Sequence, residues 1–136
     1  MRVLLDTNAY IALMRGHAGV GALVRRATQI QFSAVVAGEL IFGFRHGSRY
    51  EPNRKQLEAF LDNAYVAFLP VTLSTAERFG HIAARLRQRG APIPSNDIWI
   101  AAQALEAGAD LITFDRHFEA VEGLILRNPA GPDGSP

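Results

Sequence analysis

A chain of 136 residues, of which 49% are hydrophobic, is long enough and apolar enough to bury a core as a single domain. It contains no cysteine, which excludes disulfide bonds, cysteine-ligated zinc and thiol catalysis. The formal net charge is +1, and the absence of a signal peptide or a membrane-spanning apolar run predicts a cytoplasmic protein that does not enter a membrane.

Short apolar runs alternate along the chain with segments whose apolar side chains recur at helical spacing. In chain order the pattern predicts a strand at 3–5, helices at 7–14 and 20–27, a strand at 29–32, helices at 34–44 and 57–64, a strand at 66–69, helices at 74–90 and 95–108, and strands at 111–114 and 124–126. The alternating residues 29–32 predict a strand near a sheet edge, and the apolar run at 66–69 predicts a buried strand.

Strands that alternate with helices predict an α/β fold, namely a three-layer α/β/α domain with a mainly parallel central sheet. The domain spans residues 1–127, and residues 128–136 predict a disordered tail because they have nothing to bury. Polar side chains mark the helix starts: Thr7 or Asn8 is positioned to cap one helix and Ser95 or Asn96 another, while residues 74–77 have the pattern of a capping box.

Four of the 13 acidic residues lie where solvation alone does not explain them. Asp6 and Asp115 each end an apolar strand, and Asp97 falls in the first turn of an almost wholly apolar helix. Glu39 lies on an apolar helix face, so it needs a partner or a metal. Taken singly, turns, a helix cap or a buried arginine would account for them. Because parallel strands bring their carboxyl ends to one edge, we expect all four to meet there as oxygen ligands of a divalent ion.

These acids lie in motifs that resemble the PIN domain, and in particular the toxin ribonucleases of VapBC toxin–antitoxin pairs. The motifs are Asp6-Thr7-Asn8, Gly38-Glu39-Leu40, Asn96-Asp97-Ile98-Trp99-Ile100-Ala101-Ala102 and Thr113-Phe114-Asp115. Their order, spacing and placement on predicted elements extend the resemblance over residues 1–127, as a PIN-like nuclease domain.

The resemblance implies an endoribonuclease that depends on Mg²⁺ or Mn²⁺ and hydrolyses RNA phosphodiester bonds. It implies that the catalytic, metal-binding acids are Asp6, Glu39, Asp97 and Asp115. The supporting polar residues that it implies near them are Thr7, Asn8 and Thr113. It also implies a homodimer and a cognate antitoxin that blocks the acidic site.

Basic residues outnumber acids once the four site acids are set aside, with 14 against nine. Such a surplus suits contact with RNA phosphates, although codon bias with solvated helix faces also explains a chain in which 13 of the 14 basic residues are arginine. The candidate RNA contacts are Arg45, Arg49, Arg54, Lys55, Arg85, Arg87, Arg89 and Arg116.

None of the four histidines is predicted to act as a catalytic base. His117 is interpreted as a surface histidine, with contact to substrate as the alternative. Trp99 shares a helix face with two polar residues, Gln103 and Glu106, which predicts that it covers the rim of the core or lies in an interface.

Three other interpretations of the acids stay open on the sequence. The first is a PIN nuclease of RNA processing that has no antitoxin, and the second is a metal-free scaffold that retains the fold. The third is a phospho-accepting signalling domain, which also places carboxylates at strand ends. That chemistry usually requires a nearby lysine, and the only lysine of the chain is Lys55.

Overall fold

Five parallel strands form the centre of the fold in the computed structural model, which describes residues 1–130. The strands are β1 (Arg2–Leu5), β2 (Gln29–Ser33), β3 (Val66–Leu69), β4 (Asp110–Ile112) and β5 (Leu126–Arg127). They are ordered β3-β2-β1-β4-β5, and every neighbouring pair is parallel. The predicted disordered tail lies outside the described residues from 131 onward, while Pro129 within it is buried.

Helices flank the sheet and complete the α/β architecture that the sequence predicts. They are α1 (Thr7–Met14), α2 (Ala18–Arg26), α3 (Ala34–His46), α4 (Tyr50–Leu61), α5 (Leu73–Gln88), α6 (Ser95–Ala107) and a 3₁₀ helix (Arg116–Ala120). Among the helices within residues 1–130, none combines the length and apolar character that a membrane crossing requires.

The central strand β1 sets the position of the site. Val3, Leu4 and Leu5 are fully buried, as expected for a strand covered on both faces. Strands β2 and β4 pair with it in parallel on either side, so the carboxyl ends of the three strands lie at one edge of the sheet. Ligands of open parallel sheets bind beyond this edge.

Two predictions about the sheet are wrong. Strand β2 was expected near an edge but lies inside the sheet, where Gln31 is buried. Strand β3 was expected to be buried but forms the edge, and Phe68 is 50% exposed. Apolar content therefore did not distinguish an edge strand that exposes an aromatic side chain from a covered one.

Several predicted helix caps are also wrong. Asp6 itself caps α1, since its side chain accepts from the backbone N–H of Ala9. The capping box at the start of α5 is formed by Thr72 and Thr75, and lies two residues before the predicted one. Helix α6 begins after Pro94 without any side-chain cap. Thr7 and Asn96, which were predicted as possible caps, instead donate side-chain hydrogen bonds to Glu39.

A buried polar cluster around Gln103 joins α6 to the start of α3. Gln103 shares a helix face with Trp99 and is 0% exposed. Its amide oxygen accepts from the Ser33 hydroxyl at 2.5 Å, and its amide nitrogen donates to the backbone carbonyl of Leu69 at 3.0 Å. Ser33 in turn caps α3. The cluster therefore fixes the helix that carries Glu39 relative to the helix that carries Asp97.

Candidate metal centre

Asp6 is the most enclosed carboxylate of the site. It follows β1 and is only 7% exposed. One carboxylate oxygen accepts from the Ala9 backbone N–H at 2.9 Å, and the other accepts from the Thr113 hydroxyl at 2.5 Å. Because Thr113 follows β4, this hydrogen bond joins the ends of two neighbouring strands and fixes the orientation of the carboxylate.

Glu39 reaches the site from α3 and is half-buried. Its Oε1 accepts from the Thr7 hydroxyl at 2.6 Å, and its Oε2 accepts from the Asn96 side-chain amide at 3.3 Å. The expectation that this carboxylate needs a partner is thus met by two neutral donors, and no arginine of residues 1–130 pairs with it. Its charge remains uncompensated by any cationic side chain in that part of the protein.

Asp97 and Asp115 face each other across His117. The Nε2 atom of His117 lies 2.5 Å from Asp97 Oδ2, and its Nδ1 atom lies 2.7 Å from Asp115 Oδ1. Asp115 also caps the 3₁₀ helix by accepting from the His117 backbone N–H at 3.2 Å. The three side chains offer ligand atoms that all lie within 4.8 Å of one another.

The interpretation of His117 as a simple surface histidine is wrong. Its ring is partly enclosed and contacts two of the four predicted site acids. The detectable signal was the Asp-x-His spacing after a strand, because an aspartate that caps a short helix accepts from the N–H two residues later. The contact with Asp97, 20 residues earlier in the chain, depends on the fold and had no sequence signal.

The site acids influence one another electrostatically. Burial raises the pKa of the Asp6 carboxyl, and the charges of Asp97 and Asp115 raise it further, while hydrogen bonds from Thr113 and Ala9 lower it. Burial likewise raises the pKa of Asp97, against the lowering effect of His117, and Glu39 and Asp115 add repulsion. Each of the four predicted acids therefore interacts with at least one other.

The structure also locates the three predicted supporting residues. Thr7 and Thr113 donate to site carboxylates, and the Thr113 hydroxyl also accepts from the Asp115 backbone N–H at 2.9 Å. Asn8 is exposed on α1, and its side chain makes no hydrogen bond within residues 1–130. Two threonines thus orient the acids directly, while the Asn8 side chain forms no hydrogen bond with them.

The donor set fits a hard divalent cation. Burial and repulsion between the acids raise the pKa values of Asp6 and Asp97, which a nearby cation would oppose. The two ring nitrogens of His117 each lie close to one of these carboxylates, so the imidazole is a further possible ligand. A divalent cation would supply positive charge to these acids, and oxygen ligands suit Mg²⁺ and Mn²⁺.

Comparison with known proteins identifies the family. The model of the PIN domain matches residues 3–124. A protein named ribonuclease VapC2 from Haemophilus influenzae is 30% identical over 131 residues, which covers 94% of this chain and 98% of that protein.

Solved structures agree with this match. The VapBC-1 structure from nontypeable Haemophilus influenzae superposes with a TM-score of 0.83 at 28% identity, and covers 94% of this chain and 98% of that one. VapBC-5 from Mycobacterium tuberculosis, a member of the VapBC family of toxin–antitoxin systems, gives a TM-score of 0.71 at 26% identity, with 93% and 98% covered. The chain therefore belongs to the PIN-domain family, among its VapC ribonucleases.

Proposed function

We propose that this chain is the endoribonuclease toxin of a toxin–antitoxin pair and that it hydrolyses RNA with Mg²⁺ or Mn²⁺. The observation that carries the proposal is the convergence of Asp6, Glu39, Asp97 and Asp115 at the carboxyl edge of a PIN-domain sheet. The named relatives are ribonucleases, and the structural neighbours are VapBC complexes. A phospho-accepting role is disfavoured, since Lys55 is an exposed residue of α4 and makes no contact with these acids.

The four carboxylates would hold the divalent ion, and the neighbouring hydroxyls would keep them in place. Thr113 fixes Asp6, Thr7 fixes Glu39, and both hydrogen bonds leave part of each carboxylate available as a ligand. The bound ion would stabilise negative charge on the phosphate oxygens and lower the pKa of a coordinated water. Asp115 is exposed at the mouth of the site, so an RNA chain can approach without passing through a closed channel.

The predicted RNA contacts divide into two groups. Arg54, Arg85, Arg89 and Arg116 already pair with carboxylates on the surface, and Arg85 and Arg89 share Glu122. The remaining four have no such partner within residues 1–130 and are better placed to meet phosphates. They are Arg45, Arg49, Lys55 and Arg87.

The proposal includes two protein partners. An antitoxin could neutralise the acids with an arginine, whose planar fork matches carboxylate geometry. A homodimer is supported by exposed apolar side chains along the sheet edge and the start of α5, where Phe68, Val71 and Leu73 face solvent. Trp99 is half-buried and stacks on Phe79 with ring centroids 4.1 Å apart, so it covers the rim of the core.

The purified chain should cleave RNA when Mg²⁺ or Mn²⁺ is present and should lose this activity in chelator. The expected cause is the uncompensated charge of the acids, which a divalent ion must balance before a phosphate can approach. The extent of cleavage is measured by gel analysis of total RNA after incubation with Mg²⁺, with Mn²⁺ or with chelator. Equal cleavage with and without chelator would refute the metal requirement.

Expression of the chain alone in a bacterial host should arrest growth, and Asp97→Asn should relieve the arrest. The asparagine keeps the shape of the side chain and can still accept from His117, but it removes one ligand charge. Growth curves with matched protein levels, checked by immunoblot, give the measurement. Normal growth at high levels of a chain that cleaves RNA in vitro would exclude the toxin role and leave the nuclease.

A further inference from the structure

A cleft of about 450 Å³ opens beside the metal centre, between α1, α3 and α4. Thr7 and Glu39 line it at one end and also belong to the acidic site. The volume lies in the range of about 300 to 1,000 Å³ that is typical of small-molecule sites. A group bound in the cleft would therefore adjoin the position at which a phosphate meets the acids.

The walls of the cleft combine apolar surface with hydrogen-bonding groups. Met14 and Leu40 contribute apolar side chains, while Asn53 and Gln56 contribute amides from α4. Neither amide makes a side-chain hydrogen bond within residues 1–130, so both can bond a ligand. Amides of this kind recognise the edges of nucleobases, and apolar side chains pack on their faces.

Tyr10 and Arg15 are two further polar side chains at the cleft. Tyr10 lines the cleft at 2% exposure, and its buried hydroxyl has no hydrogen-bond partner within the described chain. Burial raises its pKa to about 12, so the hydroxyl keeps its proton and remains a donor. Arg15, at the exposed rim, forms no ion pair in residues 1–130. A ligand with a negative charge could pair with Arg15, whereas the Tyr10 hydroxyl is enclosed behind the wall of the cleft.

We propose that this cleft binds a nucleobase of the RNA substrate, next to the phosphodiester that is cut, and so sets sequence preference. The inference rests on the proposed ribonuclease function and adds a base-recognition subsite to it. A nucleobase has the apolar face, the polar edge and the attached phosphate that the cleft, its amides and Arg15 can accommodate. Thr7 and Glu39 line the cleft and also belong to the acidic site. The base and its phosphate would therefore be held by adjoining sites.

Gly43 offers a test that leaves the acids untouched. It lines the cleft from α3, and a Cβ at this position meets nothing within 4 Å, so Gly43→Leu would add a bulky side chain at the wall of the cleft. Gly80 is a matched control, because it is also a helical glycine with open space and lies on α5, away from the cleft. Asn53→Ala and Gln56→Ala remove the two amides while leaving the cleft open.

The experiment compares these variants on randomised RNA oligonucleotides with Mg²⁺, and maps the cut positions by sequencing. Binding of a labelled RNA is measured on the same variants, and the rise in melting temperature with Mg²⁺ reports the metal site. Gly43→Leu should lower both RNA affinity and cleavage rate by about tenfold or more, since stacking and edge contacts of one base are worth this much. Its response to Mg²⁺ should match that of Gly80→Leu. The amide variants should lose base preference at one fixed position beside the cut.

Three outcomes would overturn the subsite. One is a Gly43→Leu protein that binds and cuts the same RNAs as Gly80→Leu. Another is an unchanged base preference in both amide variants. A third is unchanged cleavage combined with loss of binding to a co-expressed antitoxin, which would assign the cleft to a protein segment. Failure of the wild type to cut RNA would instead overturn the proposed function, and the RNA-binding comparison would still decide whether the cleft holds a base.

Discussion

Asp6→Asn should reduce RNA cleavage by at least about 100-fold, because loss of a metal-ligand charge removes several kcal/mol of transition-state stabilisation. The fold should survive the change. Asparagine is as good a helix cap as aspartate, so α1 keeps the cap that Asp6 provides to Ala9. Its amide can also meet the Thr113 hydroxyl, which both donates and accepts. Single-turnover cleavage of a labelled RNA with excess Mg²⁺ measures the effect.

Asp62→Asn is the matched control for this variant. Asp62 is an exposed residue just after α4, and its side chain makes no hydrogen bond or ion pair within residues 1–130. The same chemical change there should leave the cleavage rate within about twofold of wild type, as expected for a surface site. Wild-type rates in the Asp6→Asn protein, with circular dichroism showing a native fold, would remove Asp6 from the catalytic site.

The four acids could be predicted because their positions follow from local rules. The carboxyl ends of parallel strands and the N-termini of the helices that follow them lie at one edge of the sheet, which is the edge predicted for Asp6, Asp97 and Asp115. Glu39 was identified by the conflict between its charge and its apolar helix face. The structure places these residues at that edge and shows the threonines that orient two of them.

The remaining features depend on contacts between distant parts of the chain. His117 meets Asp97 only because the 3₁₀ helix turns back toward α6. Gln103 is buried because Ser33 and the end of β3 lie beside it, and neither is close in sequence. Glu106, which shares a helix face with Trp99, accepts from the Thr75 hydroxyl at 2.7 Å, and Thr75 lies on a different helix. The burial of a polar side chain on an apolar helix cannot be predicted until its hydrogen-bond partner is known.

Asp6→Asn should also raise the melting temperature in chelator at pH 7.5, by a few degrees. Burial and the neighbouring acids raise the folded pKa of Asp6 above its unfolded value. An acid whose pKa is raised by folding stabilises the folded state at pH values below its unfolded pKa of about 4. This stabilisation is lost as the pH rises through the folded pKa. At pH 7.5 the ionised Asp6 therefore destabilises the folded protein when no metal is bound, and asparagine removes this destabilisation. The advantage of the variant should shrink as pH falls toward 4.

In excess Mg²⁺ the wild type should melt at a higher temperature than Asp6→Asn, which is the reverse of the order expected in chelator. An ion that binds only the folded site stabilises it by about 2.7 kcal/mol at 100 times its Kd. In a chain of this size that corresponds to roughly 10 °C in melting temperature. Wild type should gain this shift and Asp6→Asn should gain little, while Asp62→Asn should follow wild type in both conditions. Scanning calorimetry of the three proteins in chelator and in excess Mg²⁺ gives all of these values. An Asp6→Asn protein that melts below wild type in chelator, with no Mg²⁺ shift in any of the three, would mean that the carboxylates neither repel one another nor share a cation.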